Sequence, residues 1–342
     1  MKPITIGLDI AKSVFHVHGV DAAGAVVLRK RLRRREVVGF FAALEPCLIG
    51  IEACGGAHHW GRALSALGHE VRLLPPAYVT PYVKRGKNDA VDAAAICEAV
   101  GRPSMRFVPV KSRAQQAALV PHRTRDLLVR QRTMLINSLR SLLAEFGVVA
   151  PRGRGRLGEL VAQLEAAEEE HIPGSARVML LDLVEAIEAL DARIARAEKA
   201  IVAAARADAT ARRLMTVPGV GPITASAIVA TLGDASRFRN GRHFAAWLGL
   251  VAKQSSTGGR PRLGRISKMG DRYLRKLLVL GATARLRAVG REQSPLAQWT
   301  RALLARRPAR LVTLALANKT ARILWALMAR GETYRPEAAA AA

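Results

Sequence analysis

The 342-residue chain is short of cysteine, aromatic and acidic residues, and each shortage excludes a class of protein. Its 3 cysteines, Cys47, Cys54 and Cys97, form neither a Cys-x-x-Cys pair nor a Cys/His ligand spacing. This excludes a disulfide framework and a zinc site, so we expect reduced core thiols. Aromatic residues make up only 4% of the chain, which excludes the base-stacking surfaces of RRM and OB domains.

Long hydrophobic runs are also missing. No stretch approaches the roughly 20 apolar residues that a membrane-spanning helix needs. The N-terminus lacks the charged-then-apolar plan of a signal peptide, because Asp9 interrupts it. We therefore expect a cytoplasmic protein without a membrane partner.

The shortage of acids points to a class of partner. Lys and Arg number 54 against 27 Asp and Glu, which gives a net charge of +27. A solubilising surface or a codon bias toward Arg is the simpler explanation, but codon bias does not account for the lack of compensating acids. The excess is spread along the chain and favours nucleic-acid binding. The length predicts two or three domains.

The first part of the chain has the pattern of an α/β domain. It predicts strands at 4–8, 14–20, 25–32, 47–51 and 69–74 and helices at 36–44, 57–67 and 89–100. Three strands followed by helix, strand, helix, strand and helix is the order of an RNase H-like fold. Prolines at 103 and 109 end this pattern. We assign residues 1–108 to an RNase H-like catalytic domain.

Acidic residues occupy the ends of several of these elements. Asp9 ends the first strand and Glu52 the fourth, while Asp89 and Asp92 are three residues apart on one helix face. If the two strands are adjacent, all the carboxylates converge at one edge of the sheet. Such oxygen ligands suit Mg²⁺, with Mn²⁺ as a substitute, and paired ions promote displacement at phosphorus.

Two other interpretations of these acids stay open. Each could be a surface acid or a helix cap, and Asp89 could cap the helix that follows Lys87-Asn88. The segment Gly-Leu-Asp9-Ile-Ala-Lys12 is also similar to the first phosphate motif of actin-like ATPases and sugar kinases. A second acidic phosphate loop and a glycine-rich adenosine motif, which those proteins need, are not visible in the sequence.

The middle region, 109–209, is predicted to be helical, with long helices at 112–146 and 157–213 and a turn at Pro173-Gly174. Two sets of apolar residues recur every seven positions: Leu180, Ile187, Ile194 and Ile201, with Leu183, Leu190, Ala197 and Ala204 three residues later. This spacing favours a coiled coil, and packing against the parent domain is the alternative. Basic residues of the first helix, among them Arg125, Arg130 and Arg132, could follow a phosphate backbone or simply be solvated.

A third region, 210–332, is predicted to be mostly helical, followed by a disordered tail at 333–342. The segment Val217-Pro-Gly219-Val-Gly221-Pro matches a helix-hairpin-helix, whose backbone amides bind phosphate, although an ordinary glycine turn is the alternative. A basic glycine-rich loop at 254–271 leads into a helix at 272–287. The predicted nucleic-acid-binding residues are Gly219, Gly221, Arg260, Arg262, Arg265, Lys268 and Arg272.

These motifs together resemble the DEDD transposases of bacterial insertion sequences, to which the pilin-gene DNA invertases are related. The resemblance is carried by Gly-Leu-Asp9-Ile-Ala-Lys12, Ile-Glu52-Ala-Cys-Gly, Lys-Asn-Asp89-Ala-Val-Asp92, Val-Pro-Gly-Val-Gly-Pro and Gln-Ser-Ser256-Thr-Gly-Gly. It covers residues 1 to about 108 and about 210 to 290. It implies a RuvC-like domain, a coiled coil and a C-terminal transposase domain.

The resemblance also implies a mechanism and partners. Asp9, Glu52, Asp89 and Asp92 would bind Mg²⁺ as catalytic residues, and Ser256 would attack DNA and form a covalent phosphoserine. Ser255 is the second choice for the nucleophile. A structured guide RNA, the bridge RNA, would pair with donor and target DNA, and the protein would act as a dimer or tetramer.

Reasoning from the residues alone would not select Ser256, because a Ser-Ser-Thr-Gly-Gly run is more often a flexible loop. A nucleophilic serine needs an activating base or metal, and no base is evident near this one. Two other functions stay open: a RuvC-like nuclease that hydrolyses DNA junctions, and a non-catalytic architectural DNA-binding protein.

Overall fold

The computed structural model describes residues 2–83, 88–151 and 153–336, with Arg154 described by its backbone alone. The chain divides into two units, Met1–Ala114 and Gln115–Ala342. The first boundary lies close to the predicted end of the catalytic domain at 108. The predicted helical region 109–209 and the region 210–332 are not separate units, since both belong almost entirely to the second.

A five-stranded sheet forms the centre of the first unit. Its strands are β1 (Thr5–Ile10), β2 (Val14–Val20), β3 (Val26–Arg33), β4 (Leu48–Glu52) and β5 (Glu70–Leu74). Their order across the sheet is β3-β2-β1-β4-β5. The first three strands form an antiparallel meander, and β4 and β5 add in parallel to β1. This mixed sheet agrees with the predicted RNase H-like order.

The helices of this unit are α1 (Val37–Ala42), α2 (Ala57–Ser65), α3 (Pro76–Val79) and α4 (Asp89–Val100), with 3₁₀ turns at Arg34–Glu36 and Thr80–Tyr82. On one face of the sheet, Phe15, Phe41 and Trp60 join a buried apolar cluster. Helix α4 packs over β1, β2 and β4, and Ile96 and Val100 belong to a second cluster. Both faces of the central strands are therefore covered.

Two glycines set the position of α4 on the sheet. Gly7 of β1 and Gly50 of β4 are register partners. A Cβ atom on Gly7 would lie 2.0 Å from the Ala93 carbonyl oxygen, and one on Gly50 would lie 2.8 Å from Cβ of Val100. Any larger residue would push the helix away, so this pair lets α4 approach the strands closely.

The second unit is mostly helical. Its helices are α5 (Arg113–Ala144, which starts two residues before the boundary), α6 (Leu157–Ala166), α7 (Gly174–Ala207), α8 (Ala209–Leu214), α9 (Pro222–Leu232), α10 (Gly241–Trp247), α11 (Arg272–Ala288), α12 (Pro295–Leu304) and α13 (Ala309–Arg330). Strands β6 (Ala252–Gln254) and β7 (Leu263–Ile266) form a hairpin, and 3₁₀ turns occur at Arg154–Arg156 and Val289–Arg291.

The region 157–213 forms three helices, α6, α7 and α8. The predicted turn at Pro173-Gly174 lies where α7 begins, but the break before α8 was not predicted. Within the first break, Ile172 is buried and packs in one cluster with Leu164 of α6, Leu139 of α5 and Leu180 of α7. At the second break, the side chain of Asp208 accepts a 2.7 Å hydrogen bond from the Ala211 amide and caps α8. Burial at the first break and capping at the second account for the two breaks.

The apolar stripe of α7 is buried within the chain. Leu180, Ile187, Ile194 and Ile201 are each less than 5% exposed. Arg125 of α5 pairs with Glu198 of α7 at 2.7 Å, and Arg132 pairs with Asp191. The pairs run in opposite directions along the two helices, which are therefore antiparallel. Packing within the chain therefore accounts for the stripe. Arg125, Arg130 and Arg132 are all ion-paired, and a coiled coil between subunits stays a prediction.

The C-terminal helices surround one large apolar cluster that includes Leu214, Phe244, Leu278 and Leu324. By length and composition alone, helix α13 is long and apolar enough to cross a membrane. The prediction that no stretch of the chain approaches a membrane-spanning length is therefore wrong. Of the most apolar window of α13, however, 56% is buried within the protein. Tyr334 also packs against this cluster, and its amide donates a 3.1 Å hydrogen bond to Thr216. The predicted disordered tail therefore starts too early, and its residues 337–342 lie outside the described part of the chain.

Candidate functional site

Asp9 and Glu52 lie side by side at the carboxyl ends of neighbouring strands. The register between β1 and β4 pairs Leu8 with Ile51, and each acid is the next residue of its strand. Parallel strands end at the same edge of a sheet, so the two carboxylates lie close together. The condition that these two strands be adjacent is therefore met.

Asp89 and Asp92 occupy the first turn of α4. The cap of this helix is Asn88, whose side chain accepts a 3.0 Å hydrogen bond from the Ala90 amide. The alternative that Asp89 is only a helix cap is therefore wrong. Both carboxylates are left free to point toward the end of the sheet, near the positive end of the helix dipole.

Electrostatic coupling shows that the carboxylates form one cluster. Burial raises the pKa of Asp9 to about 6, and repulsion from Asp89, Asp92 and Glu52 adds to the rise. Burial, with repulsion from Asp92, also raises the pKa of Glu52. The structure thus brings together all the acids that the sequence places at the metal site. Clustered carboxylates of this kind repel one another unless a cation or a proton lies among them.

His16 joins the cluster, although sequence reasoning missed it. It is the register partner of Asp9 on β2. Its Nδ1 lies 3.7 Å from an Asp89 carboxylate oxygen, and ligand atoms of Asp9, His16 and Asp89 all lie within 4.8 Å of one another. The buried Nδ1 has no hydrogen-bond partner within the described residues. The alternation of histidine and apolar residues in β2 carried a signal, but only the register shows which histidine faces Asp9.

The donor set fits a hard divalent cation. Carboxylate oxygens are the preferred ligands of Mg²⁺ and Mn²⁺, and an imidazole nitrogen is tolerated better by Mn²⁺ than by Mg²⁺. Within the described residues, the buried Nδ1 of His16 has no hydrogen-bond partner, and its distance of at most 4.8 Å from ligand atoms of Asp9 and Asp89 suits a shared cation. Nearby Cys54, predicted to be a core thiol, is exposed, and burial together with Glu52 and Asp9 raises its pKa. In the metal-free protein the raised pKa favours the neutral thiol over the thiolate.

Ser256 lies on an exposed hairpin, where a loop was predicted. The Ser255 amide donates a 2.9 Å hydrogen bond to the Arg262 carbonyl. At the tip, Gly258 and Gly259 have φ of +56° and +76°, which is the conformation of a two-residue type I′ turn. The Ser256 hydroxyl accepts a 2.8 Å hydrogen bond from the side-chain amide of Gln254. An amide cannot take a proton from serine, so this hydrogen bond does not supply a base.

The predicted basic residues surround this hairpin. Arg260, Arg262, Arg265, Lys268 and Arg272 are all exposed. Within the described part of the chain, none of them forms an ion pair with an acid. Arg275 fixes the base of the hairpin by donating hydrogen bonds to the carbonyls of Leu248, at 2.8 Å, and Met269, at 2.9 Å. The result is an anchored, positively charged projection suited to phosphate contact.

The predicted phosphate-binding turn connects α8 and α9. Gly219 has a φ of +86°, and a Cβ atom there would meet the Gly281 carbonyl oxygen of α11 at 3.0 Å. Gly221 is the N-cap of α9. Both glycines are exposed. The turn thus lies on the surface at a helix start, but the packing against α11 gives Gly219 a structural role as well.

Comparisons with known proteins agree with this geometry. The family model of DEDD transposases of the IS110 type matches residues 6–147, and that of the IS116/IS110/IS902 transposase family matches residues 211–297. A probable family 20 transposase of Pseudomonas aeruginosa is 54% identical over 97% of this chain and 98% of its own length. Transposases for the insertion sequence elements IS1328 of Yersinia enterocolitica and IS1111A of Coxiella burnetii are each 41% identical. They align over 96% and 98% of this chain and 98% and 92% of their own lengths, respectively.

Proposed function

Because this chain belongs to the IS110 family of DEDD transposases, we propose that it cuts and rejoins DNA at the carboxylate cluster with the help of a serine nucleophile. The chain is a transposase, an enzyme that acts on the DNA of an insertion sequence. The observation that carries the proposal is the convergence of Asp9, Glu52, Asp89 and Asp92 with His16 at one edge of the sheet.

The carboxylates would hold Mg²⁺, with Mn²⁺ as a substitute. When bound, the metal lowers the energy of the negative charge that develops at a phosphodiester under attack. Asp9 and Glu52 hold their oxygens at the ends of neighbouring strands, and Asp89 and Asp92 approach from the first turn of α4. Rigid strands and a closely seated helix fix these positions before substrate arrives, so little reorganisation is needed.

Ser256 would form the covalent link. Its Oγ would bond to phosphorus as the bond from phosphorus to a deoxyribose oxygen breaks, and the deoxyribose hydroxyl would leave. One phosphate ester replaces another, so the phosphoserine keeps the energy needed to rejoin DNA. Since the side-chain amide of Gln254 cannot act as a base, the Oγ proton would be taken by another group. Ser255 is the second choice for the nucleophile.

The proposal extends to partners. Donor and target DNA would be chosen by pairing with a bridge RNA, while the protein holds backbone phosphates through Arg260, Arg262, Arg265, Lys268 and Arg272 and through the turn at Gly219 and Gly221. The low aromatic content supports a backbone-reading role. The enzyme would act in the cytoplasm as a homo-oligomer, a dimer or a tetramer.

A metal-dependent nuclease of the RuvC type is the second candidate. The observation that favours it is the exposed Ser256 hydroxyl, whose described partner is an amide rather than a base. In that case the carboxylate cluster alone would direct water to the phosphodiester. Such hydrolysis leaves no bond between protein and DNA, which separates the two candidates.

The role of the acids is tested with single variants of the full-length protein. Asp9→Ala and Asp92→Ala should abolish cleavage of element-end DNA in Mg²⁺ but keep DNA binding. The matched control is Asp182→Ala, which removes an exposed acid of α7 and should cleave normally. Substantial cleavage by Asp9→Ala would refute the assignment of the metal site.

The role of serine is tested by trapping the covalent adduct on denaturing gels and mapping its peptide. Wild type and Ser255→Ala should form the adduct, and Ser256→Ala should form none. An adduct on Ser255 would move the nucleophile by one residue. Cleavage without any adduct in the wild type would favour the nuclease.

The guide is tested by reconstitution. Protein stripped of RNA should bind DNA of any sequence similarly and recombine none. RNA transcribed from the flanking DNA of the element should restore site choice, and changes in its pairing loops should redirect it. Efficient, site-specific recombination by RNA-free protein would contradict RNA guidance.

A further inference from the structure

A basic groove runs along the first unit beside the carboxylate cluster. Its volume is about 1020 Å³. The outer face of β2 and β3 forms the floor, and α4 forms one wall. The helix packs over β1 and β2 and leaves the face of β3, an edge strand, open to solvent.

Strand register gives the floor its charge. His16 pairs with Arg31, and His18 pairs with Arg29. Directly opposed residues of a sheet share a face, so two arginines and two histidines lie on the α4 side. On the other face, Leu28 and Leu32 pack into the apolar core. The α4 side of β3 thus carries Arg29 and Arg31, while Lys30 lies on the core side with its Nζ 4.9 Å from the centre of the Phe40 ring.

The groove is continuous with the carboxylate cluster. The cross-strand row that holds Asp9 and His16 ends at Arg31. Because strands are spaced by nearly 5 Å, the backbone of Arg31 lies roughly 10 Å from that of Asp9. The row with Gly7 and His18 ends in the same way at Arg29. The arginine side chains of the groove therefore lie directly next to the acidic cluster.

Among the described residues, the arginines on the floor of the groove are not paired with acids. Glu98 on the wall is paired with Arg102 of the same helix at 2.6 Å. Arg29 and Arg31 are exposed, and neither is ion-paired within the described residues. Free arginines on an open strand face, rather than in a closed cavity, suit a polyanion that passes through.

We propose that this groove holds the sugar–phosphate backbone of the DNA strand whose phosphodiester reaches the carboxylate cluster, with Arg29 and Arg31 contacting its phosphates. The inference rests on the proposed function, because that function makes DNA the substrate of the cluster. It adds a binding surface on β3 to the basic hairpin of the second unit. Arg31 and Arg29 would set the path of the strand, and the acids would act on it.

The test compares two double variants of the full-length protein that lose the same charge. Arg29→Ala/Arg31→Ala empties the groove, whereas Arg35→Ala/Arg106→Ala removes exposed arginines that do not line it. Binding of a short fluorescent DNA strand is measured against salt concentration. Loss of two phosphate contacts should lower the slope of log K against log salt by about 1.4 and weaken binding at least roughly tenfold. The control pair should change both far less, and Arg29→Lys/Arg31→Lys should recover most of the binding.

A second readout locates the contact. DNA carrying iododeoxyuridine is photocrosslinked to the protein, and the modified peptide is identified by mass spectrometry. The crosslink should fall within 14–33 or 88–102 and disappear in Arg29→Ala/Arg31→Ala. The inference would be overturned if the two double variants bound DNA equally, or if the crosslinks fell only in other segments. It would also be overturned if Arg29→Ala/Arg31→Ala weakened the binding of an RNA strand but not that of a DNA strand.

The two proposals fail separately. If Asp9→Ala still cleaves DNA, the proposed catalytic site is wrong, and the crosslink still reports whether the groove binds DNA. If the acids prove essential while the groove variants bind and crosslink like wild type, the groove alone is wrong. Thermal unfolding of each double variant identifies any loss of binding that comes from misfolding.

Discussion

Burial of the Asp9 carboxylate, together with repulsion from the neighbouring acids, should lower the stability of the first unit. Replacing Asp9 with Asn should reveal this loss. In the metal-free protein the pKa of Asp9 is raised to about 6 from 3.8, mainly by burial and then by repulsion from Asp89 and Asp92. Asparagine keeps the shape of the side chain and cannot ionise. Asp9→Asn should therefore stabilise the metal-free protein at alkaline pH while removing a metal ligand.

The sign follows from proton binding. The folded state binds a proton at Asp9 more tightly than the unfolded state does, so between pH 3.8 and about 6 it carries more protons. The free energy of unfolding therefore falls as pH rises through this window. The loss of stability caused by ionised Asp9 is therefore absent below pH 3.8 and complete above about pH 6.

The size of the penalty follows from the two pKa values. Their difference corresponds to an upper limit of roughly 3 kcal/mol, at about 1.4 kcal/mol for each pH step. Asp9 is only half-buried, and solvent screening reduces this to about 1–2 kcal/mol. Asp9→Asn should gain that amount at pH 8 and nothing near pH 4.

The difference in local stability between wild type and Asp9→Asn is measured by amide hydrogen exchange of the full-length protein in EDTA, on peptides that cover β1 and β4. The matched control is Glu70→Gln in β5, which loses a surface ion pair with Arg72 and should be unchanged or slightly less protected at both pH values. Saturating Mg²⁺ should reverse the order, because only the wild type gains binding energy, about 2.7 kcal/mol at 100 times Kd. Equal protection of wild type and Asp9→Asn at pH 8 without metal would refute the coupling.

Two more predictions concern the parts that build the cluster. In a denaturation assay, Gly7→Ala should destabilise the first unit by about 3 kcal/mol, since its Cβ would meet the Ala93 carbonyl oxygen at 2.0 Å. The control Gly39→Ala places its Cβ in open space on α1 and should be neutral or slightly stabilising. Equal effects of the two substitutions would contradict the close packing of α4 on the sheet. His16→Ala should weaken Mn²⁺ binding more than Mg²⁺ binding in calorimetric titrations. A proportional loss for both ions would show that His16 is not a ligand.

The sequence predicted the carboxylate site because its determinants are local. Strand ends are visible in the apolar patterns before Asp9 and Glu52, and α4 occupies the residues predicted for it, Asp89–Val100. Parallel pairing then brings the ends together. His16 was not predicted, because its contact with Asp9 depends on the register of the hairpin, which a one-residue shift would reverse.

The second unit was predicted less well, and for physical reasons. Residues 163–170 favour helix by composition, yet α6 ends at Ala166, before the predicted turn at Pro173-Gly174. Beyond this end, Ile172 packs into a core built from three helices. From the sequence, Asp208 could be a surface acid within a long helix, but its side chain caps the start of α8. The hairpin that carries Ser256 is exposed on all sides, so no apolar alternation marked its strands.

The contrast between the acids and the serine has a common cause. A metal site is built by the fold itself, since several ligands must be held together before the ion binds, and their spacing leaves a pattern in the sequence. A nucleophilic hydroxyl needs only exposure and a proton acceptor that can come from elsewhere. Ser256 has the exposure, and its described partner, Gln254, cannot accept the proton. Its hydroxyl should therefore be no more reactive than that of an ordinary serine in the free protein. If Ser256 is the nucleophile, as proposed, cleavage would then be confined to the complex in which DNA and a proton acceptor are assembled around it.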